Sequence, residues 1–387
     1  MGNQREKRTR VLFIAHIANP HALGGACKSL LSMVVRLAEK YHPLVVCPNE
    51  GMLPEVLRQK GIAVEIGGRP VWSFLFPYSG LAAKITQESL GEAMGGLGLG
   101  AIIRQFKPKI VHVNSMVCPR EALTAKGMGV PVVWHIREAL PPGPGRGEVL
   151  HLVHQTAHKV LAISKAVIET FNEEKLCRKV ELLYNGFEVP TSLPKAQEPG
   201  NGKYPLVGYV GTLAPHKGVQ CFIQAADLVR KKVPRVRFVI SGHDWGTGYG
   251  SQLLMLTKRL GLEHHLRFLG FNQCIEEVIA GLDVLAVPSV FQEPFGRVAV
   301  EGMLMDKPVI ASAVGGLKEI VEHGVTGLLV PPLNPEALAE RVIELIRDRK
   351  KAKAMGRQGK ERALRLFLIE DKIKRLDEIY QEQWLAE

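Results

Sequence analysis

Short, unbroken apolar runs recur along this chain, each the length of one strand and each followed by a stretch long enough for a helix. The first half carries Arg10-Val-Leu-Phe-Ile-Ala-His16, Pro43-Leu-Val-Val-Cys47, Ile62-Ala-Val-Glu-Ile66, Ile110-Val-His-Val113, Val130-Pro-Val-Val-Trp-His135 and Val160-Leu-Ala-Ile-Ser164. The pattern then starts afresh with Tyr204-Pro-Leu-Val-Gly-Tyr-Val210 and continues through Val236–His243, Leu266–Gly270, Leu282–Pro288, Pro308–Gly316 and Gly324–Val330. Unbroken rather than alternating hydrophobicity belongs to strands covered on both faces, as in a parallel sheet. Strand and helix in alternation is the rhythm of βαβ units. The expected fold class is therefore α/β, with doubly wound, mostly parallel sheets.

At 387 residues the chain exceeds one typical domain. Pro190, Ser192, Pro194, Pro199, Gly200 and Gly202 mark a linker over residues 189–203. The predicted division is residues 1–188, then 204–365, then a terminal segment 366–387 whose Ile369–Trp384 stretch is amphipathic. Ser164 is placed to cap a helix over Lys165–Phe171.

One stretch concentrates chemistry: Phe291-Gln-Glu-Pro-Phe-Gly-Arg-Val-Ala-Val-Glu301, after an apolar run and before a helical pattern. Glu293 falls in the loop and Glu301 inside the helix. Gly296 allows close backbone approach, and a helix start has N–H groups without partners, a setting that favours phosphate. Two carboxylates beside such a site can accept from hydroxyls. Diphosphate plus polyol is the chemistry of a nucleotide sugar. Lys217 stands at a second strand–helix turn, Gly211-Thr-Leu-Ala-Pro-His-Lys217-Gly218, where an ammonium can meet phosphate.

With Glu293-Pro-Phe-Gly296, a second glutamate at Glu301, and Pro308-Val-Ile leading to Gly315-Gly316, the segment resembles the donor-site signature of retaining GT-B glycosyltransferases of the family 4 type. The resemblance implies two Rossmann-like domains facing across a cleft, with the C-terminal helix returning to the first. It implies transfer of a sugar from a nucleotide-sugar donor (UDP-, GDP- or ADP-linked) to a hydroxyl acceptor, with no cofactor and no metal. Lys217 would meet the diphosphate, Glu301 the ribose, Glu293 the sugar. Phe295, Gly296, Arg297 and Val298 would line the donor. Thr212 stands where the family carries Arg, so one cation is missing, with Arg297 as a candidate replacement. His135, at the end of its strand, would lie near the anomeric carbon, and Gly24 and Gly25 near the diphosphate and acceptor. A nucleotide-sugar 2-epimerase of the same architecture is the rival reading.

The rest of the sequence narrows this. No G-x-G-x-x-G follows the first strand, which disfavours a dinucleotide-dependent dehydrogenase. The six cysteines are scattered, as expected of free thiols in a reducing, cytoplasmic setting. No run of about 18 apolar residues occurs, and Met1–Arg10 lacks the apolar stretch of a signal peptide. A net charge of +12 suits anionic partners. An anionic donor and an anionic membrane surface fit it; no nucleic-acid recognition motif is present. Val71–Gly100, aromatic and then glycine-rich, reads either as core packing or as an adaptable acceptor or lipid-facing surface.

Overall fold

A computed structural model describes residues 8–67, 98–140, 146–171, 178–190, 204–244 and 246–384. Most of Val71–Gly100, the linker beyond residue 190 and the proline-rich stretch 141–145 lie outside the described residues. The chain forms two compact units, Met1–Phe187 with Ile369–Glu387, and Glu188–Leu368.

The first unit is built on seven strands: β1 (Arg10–Ile14), β2 (His42–Cys47), β3 (Ala63–Ile66), β4 (Ile110–Val113), β5 (Val132–Ile136), β6 (Lys159–Ala162) and β7 (Val180–Leu182). Every pairing is parallel, and the order is β3-β2-β1-β4-β5-β6-β7. Val11, Leu12 and Phe13 are fully buried, which is why β1 is apolar at successive positions rather than alternate ones. The chain moves outward from β1 through β2 and β3, then returns to pair β4 on its other side. At that reversal the connections on the two sides diverge, leaving a crevice at the strands' carboxyl ends.

The second unit repeats the plan with β8 (Leu206–Val210), β9 (Arg237–Ser241), β10 (Leu266–Gly270), β11 (Val284–Val287), β12 (Val309–Ser312) and β13 (Gly327–Val330). Its order is β10-β9-β8-β11-β12-β13, again parallel, with the reversal between β8 and β11. Capping chemistry sets the helix starts. Asn334 accepts from the Ala337 N–H at 2.8 Å and Asp348 from the Lys351 N–H at 2.9 Å. Ser164 accepts from the Val167 N–H at 3.0 Å, but the helix it caps runs only over Lys165–Ile168 before tightening to a 3-10 turn, Glu169–Phe171.

The C-terminal helix Ile369–Trp384 completes the core of the first unit. Leu376, Ile379 and Tyr380 are fully buried in one cluster with Val11, Phe13, Leu30 and Val34. The chain enters this helix through a close backbone approach: the Ile369 N–H donates to the Phe187 carbonyl at 3.0 Å, and a Cβ on Gly186 would stand 2.8 Å from the Ile369 Cα. Polar ties hold the rim, with Arg375 Nε 2.6 Å from Glu181 and the Tyr41 hydroxyl 2.6 Å from Asp377.

Because Leu376 packs against strand residues more than two hundred positions away, Leu376→Ala is expected to destabilise the first unit by about 2–5 kcal/mol. Urea unfolding followed separately in the two units checks this: the second unit's transition should not move.

Candidate donor and reaction site

Lys217 and Glu293 are 76 positions apart in sequence and are brought together by strand pairing. β8 and β11 are neighbours, so the turns leaving their carboxyl ends emerge side by side. The turn after β8 passes through Pro215–Lys217 and enters the helix Val219–Lys232 at Gly218. Gly218 has φ +71°, and a Cβ there would overlap the Pro288 carbonyl at the end of β11. The Val290 N–H donates to the His216 carbonyl at 2.9 Å. Only glycine lets the two turns close this far.

The closure seats the Lys217 ammonium 2.6 and 2.9 Å from the two carboxylate oxygens of Glu293, and the Ser289 hydroxyl donates to the same carboxylate at 2.9 Å. Burial alone would raise the Glu293 carboxyl; the charge of Lys217 and hydrogen bonds from Lys217 and Ser289 outweigh it and hold the group below its ordinary range. Tyr209 beneath is pushed far up, first by burial and then by the charge of Glu293, and its hydroxyl donates to the Thr212 carbonyl at 2.7 Å. Thr212 itself is exposed.

Gly315 and Gly316 support Glu293 from behind. The Gly316 N–H donates to the Glu293 carbonyl at 2.8 Å. Gly315 has φ +47°, and a Cβ on it would overlap that carbonyl; a Cβ on Gly316 would stand 2.8 Å from the Phe295 Cα. The sequence places Gly296 at a ligand's approach. Its φ of +106° and the 2.5 Å separating a Cβ from Leu317 Cδ2 show that internal packing already requires glycine there. Phe295 differs from expectation in its side chain: it is 3% exposed and meets Phe367 edge-on at 5.5 Å, so only its backbone faces the loop. Beyond it the helix Arg297–Leu304 begins with no side-chain cap and no acid in its first turn. Arg297, the candidate replacement for the missing cation, lies at the start of this helix and is paired along it. Its guanidinium donates to Glu301 at 3.2 Å, one turn along the same helix. Val298 is half-buried.

In the first unit, polar side chains gather at the carboxyl ends of β4, β5 and β7. Arg137 Nε donates to Asn114 Oδ1 at 2.7 Å, and its terminal nitrogen to Asn185 Oδ1 at 2.5 Å. Glu138 accepts from the Ser115 hydroxyl, from the Met116 N–H at 3.2 Å and from the Arg137 N–H at 3.1 Å. His135 is 3% exposed; its Nδ1 lies 3.2 Å from His112 Nε2, and its Nε2 is buried with no partner among the described residues. Burial, then the charge of Arg137, pushes the His135 imidazole well below its ordinary value, so the ring is neutral at pH 7. Gly24 and Gly25 are exposed, and Gly24 has an extended backbone with nothing within 4 Å of a Cβ. Neither strain nor packing demands glycine at Gly24. Asn114, Ser115, Asn185, His112, Tyr380 and Ser289 escape the sequence reading. A legible signal exists for β4, whose Val-His-Val run passes directly into the polar pair Asn114-Ser115.

These two Rossmann-like units, each with its polar cluster at the strand-order reversal, define the GT-B class of glycosyltransferase fold. The chain belongs to the family 4, or group 1, glycosyltransferases: the model for Glycosyltransferase Family 4 matches residues 23–189 and that for Glycosyl transferases group 1 matches residues 193–362. An uncharacterised glycosyltransferase of Methanocaldococcus jannaschii is 33% identical over 228 residues, 58% of this chain and 59% of its own length. A D-inositol 3-phosphate glycosyltransferase of Corynebacterium urealyticum is 33% identical over 183 residues, 46% of this chain and 42% of its own. The match thus spans about half the length of these curated relatives. Among solved structures, HepE of Anabaena in complex with UDP and glucose is similar with a TM-score of 0.78 at 26% identity, covering 97% of this chain and 100% of that one. Sucrose-phosphate synthase of Thermosynechococcus elongatus shares the fold with a TM-score of 0.75 at 20% identity, over 98% of this chain and 100% of that one.

Lys217→Met leaves a largely buried carboxylate without its cation, an expected loss of about 1–3 kcal/mol at pH 7. The Glu293 carboxyl is depressed in the folded protein, so the pair's contribution exists above the unfolded carboxyl value and vanishes as pH falls through the folded one. The difference between wild type and variant in urea unfolding should therefore shrink as pH falls below about 4.3. A difference constant from pH 7 to pH 3 would contradict the pairing.

Proposed function

We propose that this protein transfers a sugar from a nucleotide-sugar donor to a hydroxyl acceptor, with retention at the anomeric carbon. The observation that carries the proposal is the Lys217–Glu293–Ser289 constellation where strand order reverses in the second unit, within the segment matched by the group 1 model. In the transfer, the bond from the anomeric carbon to the diphosphate breaks and a bond to the acceptor oxygen forms. The acceptor proton leaves with the diphosphate. The group needing stabilisation is the departing diphosphate, and fixed positive charge and N–H dipoles placed there in advance accomplish this.

In this reading the Lys217 ammonium turns from Glu293 toward the diphosphate, and the uncapped start of the helix Arg297–Leu304, with Gly296 and Val298, supplies N–H donors. Glu301, steadied by Arg297, accepts from ribose hydroxyls, and Glu293 accepts from sugar hydroxyls. Thr212 takes a neutral place beside the diphosphate. His135 is the first unit's group at the reaction centre, and the exposed Gly24 and Gly25 stand where phosphate or acceptor approaches. HepE was solved with UDP-glucose, which makes a UDP-hexose the first donor to test. The net charge of +12 favours an anionic acceptor, or one at an anionic membrane surface. Among the described residues no helix is long and apolar enough to cross a membrane.

Melting curves with UDP-, GDP- and ADP-glucose identify the donor, because a ligand at 100 times its Kd adds about 2.7 kcal/mol to the native state. With the stabilising donor, Glu301→Ala is expected to raise donor KM about tenfold or more, the worth of a charge-assisted hydrogen bond. Glu293→Ala is expected chiefly to lower kcat. Added EDTA should leave transfer unchanged. Full transfer activity in Lys217→Ala, Glu293→Ala and Glu301→Ala alike would remove the assignment. Epimerised donor in place of a transferred sugar would replace the reaction class.

A further inference from the structure

His135 ends a line of hydrogen bonds that begins at the C-terminal helix. The Tyr380 hydroxyl lies 2.6 Å from His112 Nδ1, and His112 Nε2 lies 3.2 Å from His135 Nδ1. Tyr380 and His112 are fully buried, His135 is 3% exposed, and the His135 Nε2 at the far end has no partner among the described residues. The rings are confined as well: His112 packs edge-on to His135 at 5.3 Å and against Phe13 at 5.2 Å.

The protons in such a line can point one of two ways, and the choice decides what His135 offers. Burial, then Arg137, holds His112 down to about 3 and His135 well below its ordinary value, so each ring carries a single proton. In the forward arrangement Tyr380 O–H donates to His112 Nδ1, His112 Nε2–H donates to His135 Nδ1, and His135 keeps its proton on Nε2. One buried polar group is then unsatisfied. In the reverse arrangement His135 Nδ1–H donates to His112 Nε2, and His112 Nδ1–H donates to the tyrosine oxygen. Tyr380 then has no acceptor for its own proton, since His112 is its one hydrogen-bond partner among the described residues. Two buried groups are unsatisfied instead of one, and each such group carries a desolvation cost.

We propose that Tyr380 and His112 are positioning residues that lock His135 in its Nε2–H form, so that the histidine meets substrate as a hydrogen-bond donor and not as a base. The idea rests on the placement of His135 at the reaction centre. A donor N–H aimed at a sugar or leaving-group oxygen suits a step in which negative charge develops, whereas a bare nitrogen would oppose it. It also gives the terminal helix a role beyond filling the core. Tyr380 reaches the site only through His112, so it touches no substrate.

The test is ¹⁵N spectroscopy of the full chain labelled at histidine, with His135 assigned by the signals lost in His135→Gln. In the wild type, Nε2 should carry the proton and Nδ1 should be bare; Tyr380→Phe should yield a mixture of the two forms. In the transfer assay Tyr380→Phe should lower kcat about tenfold, the worth of one directed hydrogen bond, with donor KM nearly unchanged. A wild-type proton on Nδ1, or His135 nitrogens unmoved in Tyr380→Phe, would overturn the proposal. A wild-type proton on Nδ1 overturns it whether or not that variant folds. If the tautomer responds as expected but Tyr380→Phe and His135→Gln both keep wild-type kcat, the relay stands and the place of His135 in the reaction falls.

Discussion

An ammonium and a carboxylate 2.6 Å apart, at the carboxyl ends of two adjacent parallel strands, are the contact on which the second unit's chemistry depends. Each is costly to hold alone in a partly dry setting, and together they neutralise one another. Around them the backbone is drawn unusually close: Gly218 against Pro288, Gly315 and Gly316 against Glu293 and Phe295. These glycines serve the geometry of the pair before they serve any ligand. A ligand with a diphosphate and several hydroxyls can replace both halves of the contact at once, giving the lysine an anion and the glutamate donors.

The first unit solves a different problem. Its polar groups are more deeply buried, and Asn114, Asn185, Ser115 and His112 are tied into internal hydrogen bonds. A buried network of this kind is rigid when its members are paired. The imidazole of His135 is held neutral, and its Nε2 has no partner among the described residues. The hydrogen bond to His112 and the edge-on contact of the two rings hold the imidazole in place.

Much of this was legible in the sequence, and what was missed follows from the physics. Unbroken apolar runs mark buried parallel strands, so β1, β4, β8 and β11 stand out without any structure. Strand–loop–helix grammar likewise locates Glu293, Glu301 and Lys217. Periodicity, however, does not say which strands become neighbours, so the direct bond between Lys217 and Glu293, and the bond Ser289 gives the same carboxylate, were hidden. Arg297 and Glu301 stand four apart on one helix, a spacing readable in the sequence that makes them partners. Phe295 read as part of a ligand loop because nothing local reveals that Phe367 receives its ring. Tyr380 gave no signal at all: its partner is 268 positions away, joined only when the last helix packs into the first core.

The most direct measurement is a crystal structure of this protein grown with UDP-glucose. The account predicts diphosphate oxygens about 3 Å from Lys217 Nζ and from the N–H groups that open the helix Arg297–Leu304. It also predicts ribose hydroxyls on Glu301, with the Lys217–Glu293 contact loosened. A donor bound elsewhere, with that contact intact and Glu301 untouched, would contradict it.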